Sequence, residues 1–123
     1  MHKVLIVEDS KTGQLAIKSF LKKTIGEENF DSKYVGSAEE ALEVIDVYKP
    51  TLMTVDVILT GMDGIELSRK AKDKNSKPKI IIVSSKEYDL ETLKEEIPQI
   101  KAVIKKPVTL EKFTNALETA NVK

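Results

Sequence analysis

Five short runs of apolar, mostly β-branched residues recur along the chain, separated by segments whose apolar residues repeat with a helical period. The runs are Val4 to Val7, Tyr34 to Val35, Leu52 to Val55, Ile80 to Val83 and Ala102 to Ile104. Leu5-Ile6-Val7 and Ile80-Ile81-Ile82-Val83 do not alternate with polar residues. Such runs suit strands covered on both faces, the central strands of a parallel sheet.

The helical segments between them carry their own signals. Ala38, Ala41, Leu42 and Ile45 fall at i, i+3, i+4 and i+7 behind a capping box of Ser37 and Glu40. Phe113, Ala116, Leu117 and Ala120 repeat the pattern after a Thr109 cap. Ile17, Phe20 and Leu21 mark a helix after Ser10, and Leu67 and Ala71 mark another. Leu90, Leu93 and Ile97 mark a helix that Pro98 stops. Five βα units result. They predict an α/β fold, a doubly wound five-stranded parallel sheet with right-handed crossovers and helices on both faces. The expected arrangement is flavodoxin-like (βα)5, with strand order 2-1-3-4-5.

A chain of 123 residues suits one compact domain, expected to span 1–123. Twenty basic and 20 acidic residues leave no positive surplus for binding nucleic-acid backbones, so no direct nucleic-acid partner is expected. The absence of cysteine excludes disulfides and thiolate metal sites. In the opening segment MHKVLIVEDS, only four apolar residues in a row precede two acids, too few for a signal peptide or a membrane span. A cytoplasmic protein without a membrane partner is the expectation.

In a doubly wound sheet, ligands sit outside the carboxyl ends of the strands where strand order reverses. Glu8 and Asp9 follow the first strand, Asp56 the third and Ser84 the fourth, while Lys106 follows the fifth within two residues. The expected order makes the first and third strands neighbours and brings three carboxylates together. Crowded carboxylates either take up protons or bind a cation. An all-oxygen cluster with free positions suits Mg²⁺, which keeps waters and accepts phosphate oxygens.

These residues also carry a resemblance. Glu8-Asp9, Asp56-Val57-Ile58-Leu59-Thr60-Gly61-Met62-Asp63-Gly64, Ser84-Ser85 and Lys106-Pro107, in this order, resemble the signature of the receiver domains of two-component response regulators, as in CheY-like proteins. The resemblance spans almost the whole chain. It implies that Asp56 is the phosphoacceptor, attacking the phosphorus of a phosphohistidine on a sensor histidine kinase or phosphotransfer protein. It further implies direct metal ligation by Asp9 and Asp56, ligation by Glu8 through a water, and another oxygen from the Ile58 backbone carbonyl. Lys106, before a cis peptide bond to Pro107, would reach the acceptor carboxylate and then a phosphoryl oxygen. Ser84 would be the switch hydroxyl.

Asp63-Gly64 matches the family's turn into the third helix, read as a capping aspartate and a glycine permitting unusual backbone angles. Several positions depart from the family pattern. Thr60 stands where proline is usual, Val103 where many receivers carry an aromatic, and Val108 where phenylalanine is frequent. Lys86 occupies a position that often affects attack of water on the acyl phosphate.

The function implied is a phosphorylation-activated switch rather than a turnover enzyme. Its output partner or domain is unspecified, and homodimerisation would use the last two βα units. The alternative is a phosphorylation-independent interaction module that keeps the pocket as a relic. A nucleotide- or flavin-binding protein would need glycine-rich backbone donors after the first strand, where Glu8-Asp9 would repel phosphate. An aspartyl phosphatase would normally carry a second aspartate where Ile58 stands.

Overall fold

The computed structural model describes residues 1–74 and 76–122. Strands β1 (His2–Val7), β2 (Phe30–Val35), β3 (Leu52–Asp56), β4 (Lys79–Ser84) and β5 (Ile100–Lys105) alternate with helices α1 (Lys11–Thr24), α2 (Ala38–Tyr48), α3 (Gly64–Ala71), α4 (Leu90–Glu96) and α5 (Leu110–Thr119). A 3-10 turn at Glu27–Asn29 precedes β2. All strand pairs are parallel, in the order β2-β1-β3-β4-β5, as the sequence predicts.

Burial follows strand position. Every residue of β3 is buried, as are the last four of β1 and the last five of β4, whereas the edge strands β2 and β5 mix buried with partly exposed residues. This explains why β2 extends beyond the predicted Tyr34-Val35. Asp31, Ser32 and Lys33 lack an apolar signature, yet they pair with β1 from Lys3 to Leu5 along the open edge.

Side chains alternate between two apolar layers. Leu5, Val7, Met53, Val55, Ile80 and Ile82 pack with Ala41 and Ile45 of α2 and Leu67 of α3. Val4, Ile6, Leu52, Ile81 and Ile104 pack with Ile17 and Leu21 of α1 and Phe113 of α5. Phe20 and Phe113 stack with centroids 5.6 Å apart, joining α1 to α5. Thr54 lies inside β3 with apolar residues on either side in the strand, 2% exposed, and its Oγ1 has no hydrogen-bond partner among the described residues.

Side chains of Ser10, Ser37, Asp63 and Thr109 each accept the backbone N–H three residues on, capping α1, α2, α3 and α5. At α2 the expected capping box is shifted by one residue. Glu40 Oε1 accepts the N–H of Gly36 at 3.0 Å, one residue before the Ser37 cap. Among the described residues, α4 is the exception: the side chain of its N-cap Asp89 makes no capping bond, and the helix contains no buried residue. Its other end is tethered to α3. Arg69 Nη2 lies 3.2 Å from Glu96 Oε1, and Lys72 Nζ donates to the Glu96 carbonyl at 3.1 Å.

An unpartnered buried hydroxyl is destabilising, and valine has nearly the same shape. Thr54→Val is therefore expected to raise stability by about 1 kcal/mol, read as a higher urea midpoint with an unchanged m-value.

Candidate functional site

The parallel sheet sends the carboxyl ends of β1, β3, β4 and β5 to one rim. Because β1 and β3 are neighbours, with Val7 beside Val55, the residues that follow each of them meet. Ligand oxygens of Glu8, Asp9 and Asp56 all lie within 4.8 Å of one another. Asp56 is 5% exposed at the end of β3, Glu8 is half-buried, and Asp9 is exposed.

Lys106 brings the balancing charge from β5, its Nζ 2.9 Å from Asp56 Oδ2. Its backbone N–H donates to the Ser84 carbonyl at 2.7 Å, and the Lys106–Pro107 peptide is cis. Lys112 Nζ secures the same loop by donating to the carbonyls of Lys105 at 3.0 Å and Pro107 at 3.1 Å. The other carboxylate oxygen of Asp56, Oδ1, accepts the Ile58 N–H at 3.2 Å. The Ile58 side chain is 65% exposed.

Ser84, the last residue of β4, is 2% exposed, and Ser85 beside it is exposed. Ser84 Oγ accepts the Lys86 N–H at 2.9 Å. Ser84 borders a cavity of ≈ 250 Å³ together with Val57, Ile58, Asp63, Lys86 and Tyr88. Lys105 points elsewhere, pairing with Glu87 at 3.4 Å on the surface.

Electrostatically the cluster is crowded. The Glu8 carboxyl is pushed up to about 7, first by burial and then by its hydrogen bond to Asp56; the Ser10 N–H at 3.1 Å and Lys106 oppose the shift. An all-oxygen donor set that retains a proton near neutrality fits a hard divalent cation, which replaces protons among crowded carboxylates.

Two features of the loop after Asp56 were not legible in the sequence. Glu39, in the first turn of α2, accepts the Met62 N–H at 3.4 Å across 23 residues of chain. Gly64 is needed for a different reason from the one expected. Its φ is not positive, unlike those of Gly26 and Gly61. Instead, a Cβ there would lie 2.3 Å from the Asp56 carbonyl oxygen and 2.8 Å from Val55 Cγ1. Only glycine lets α3 start this close to the end of β3, where its N–H donates to the Val57 carbonyl at 2.8 Å.

The sequence matches the response regulator receiver domain family over residues 4–118. This chain belongs to that family. Among relatives of the receiver domain, the chemotaxis protein CheY of Listeria monocytogenes is 29% identical over 123 residues, 98% of each chain. The protein-glutamate methylesterase/protein-glutamine glutaminase 2 of Paramagnetospirillum magneticum is 34% identical over 84 residues, 67% of this receiver and 23% of that protein. The CheY-like receiver domain of Methylobacillus flagellatus superposes with a TM-score of 0.80 at 21% identity, covering 98% of each chain. As a receiver domain of response regulators, the chain belongs to two-component signalling. Among the described residues no helix is long and apolar enough to cross a membrane.

Replacing Gly64 by alanine is expected to cost about 1–3 kcal/mol, because backbone rather than a mobile side chain fills the space; chemical denaturation measures it. The raised Glu8 carboxyl also sets a pH dependence. Between its ordinary 4.5 and about 7, folded metal-free protein retains a proton that the unfolded chain has lost, so stability falls as pH rises through that window. Melting curves of metal-free protein across the window should show this fall, and Glu8→Gln should flatten it.

Proposed function

We propose that residues 1–123 act as one phosphoacceptor receiver domain, in which Mg²⁺-dependent phosphoryl transfer to Asp56 switches a partner-binding surface. The observation that carries this reading is the buried Asp56 carboxylate, 2.9 Å from the Lys106 ammonium and beside two further acids. A buried acid paired with one lysine would suffice as a structural ion pair. Two more carboxylates at the same point destabilise the fold unless a cation joins them.

Asp9 and Asp56 would hold Mg²⁺ directly, with Glu8 through a water and the Ile58 carbonyl as a further oxygen donor. When bound, the ion offsets negative charge on the transferring phosphoryl group. An Asp56 carboxylate oxygen attacks phosphorus, the P–N bond to the donor histidine breaks, and the imidazole leaves with the bonding pair. The product is an acyl phosphate on Asp56.

Lys106 then transfers its hydrogen bonding from the carboxylate to a phosphoryl oxygen. Ser84 Oγ accepts from Lys86 and donates to no acceptor among the described residues, so its proton is available to the phosphoryl group. Drawing Ser84 inward moves the loop leading to α4. Hydrolysis of the acyl phosphate resets the domain, so the protein is a switch that supplies catalytic groups for its own modification. Its phosphoryl source is a sensor histidine kinase or phosphotransfer protein, and its output is a partner or domain in the cytoplasm. A phosphorylation-independent interaction module would neither bind Mg²⁺ nor accept phosphate.

Intact-mass measurement after incubation with acetyl phosphate and Mg²⁺ tests this. The expected result is a phosphate-sized gain in wild type that disappears when Mg²⁺ is chelated and in Asp56→Asn. No gain in wild type, or an equal gain in the variant, would overturn it.

A further inference from the structure

Gly13 occupies the first turn of α1, a position where glycine weakens a helix and where φ is not positive. Backbone conformation therefore does not call for it. What stands over it is Glu8: a Cβ at position 13 would lie 2.7 Å from Glu8 Cδ, 2.8 Å from Cγ and 2.9 Å from Oε1. The three heavy atoms nearest to that added carbon thus all belong to one flexible side chain.

Glu8 reaches the cluster by folding its arm back over α1. In that pose Oε1 accepts the Ser10 N–H at 3.1 Å, and a carboxylate oxygen stays within 4.8 Å of those of Asp9 and Asp56. Beside it lies a cleft of ≈ 350 Å³ bordered by Gly13, Ala16, Phe20, Lys106 and Val108. A side chain at position 13 would meet the movable carboxylate rather than backbone, and the cleft offers the displaced group a place to go.

We propose that Gly13 is a positioning residue for the metal-binding cluster, its missing side chain being the space in which the longer acid Glu8 turns its carboxylate toward Asp9 and Asp56. Position 13 and position 8 are thus a matched pair. An aspartate at position 8 has no extra methylene to fold over the helix. This inference rests on the Mg²⁺ reading above.

The test is a double-mutant cycle on Mg²⁺ affinity, measured by isothermal titration calorimetry with the metal alone, alongside melting of metal-free protein. Gly13→Ala is expected to weaken Mg²⁺ binding about tenfold, as loss of an outer contact to a metal site does. Its metal-free melting temperature should stay the same or rise, because alanine favours the helix. In a Glu8→Asp background the same substitution should change Mg²⁺ affinity less than about twofold. Unchanged affinity in Gly13→Ala, an equal loss in both backgrounds, or a lowered metal-free melting temperature would overturn the pairing while leaving the Mg²⁺ reading intact. Failure of the wild-type protein to bind Mg²⁺ would overturn both.

Discussion

One ammonium group makes the charged rim of this sheet tenable. Lys106 lies 2.9 Å from an almost fully buried Asp56 carboxylate that shares its corner with Glu8 and Asp9. Without that cation, a carboxylate at the end of a fully buried strand would be uncompensated in low-dielectric surroundings. Even with it, the corner holds more negative charge than one lysine neutralises, and the Glu8 carboxyl responds by keeping its proton up to about 7. The site is therefore stable enough to fold, yet it retains an affinity for positive charge.

Geometry turns this local balance into a property of the fold. The two acids after β1 and the one ending β3 are 47 residues apart at closest, and they meet because β3 crosses to the far side of β1 from β2. Lys106 arrives from the edge strand β5, its backbone anchored to Ser84 at the end of β4. Four of the five strands contribute to the rim.

Much of this was legible from residue patterns. The unbroken apolar runs of β1 and β4 announced central strands, and Ser10, Asp63 and Thr109 cap helices as their types predict. The polar half of β2 was hidden, because an edge strand gains its pairing from a neighbour and needs no apolar code. The same blindness affected long-range side-chain placement. Neither the reach of Glu39 to the Met62 N–H nor the closeness of Gly64 to the Asp56 carbonyl leaves a trace in local sequence. Glycine in particular reads as freedom of φ, whereas Gly64 and Gly13 matter here for the volume they leave empty.

The uneven anchoring of α4 has a mechanical consequence. Arg69 and Lys72 fix its carboxyl end to α3, while its amino end has neither a side-chain cap nor a buried residue to resist displacement. Seven residues make a rod about 10 Å long, so a push of about 1 Å at the loose end turns it by roughly 5° about the fixed one. Motion delivered through the β4–α4 loop thus emerges as a pivot rather than a slide, and it is largest on the surface nearest the acidic corner.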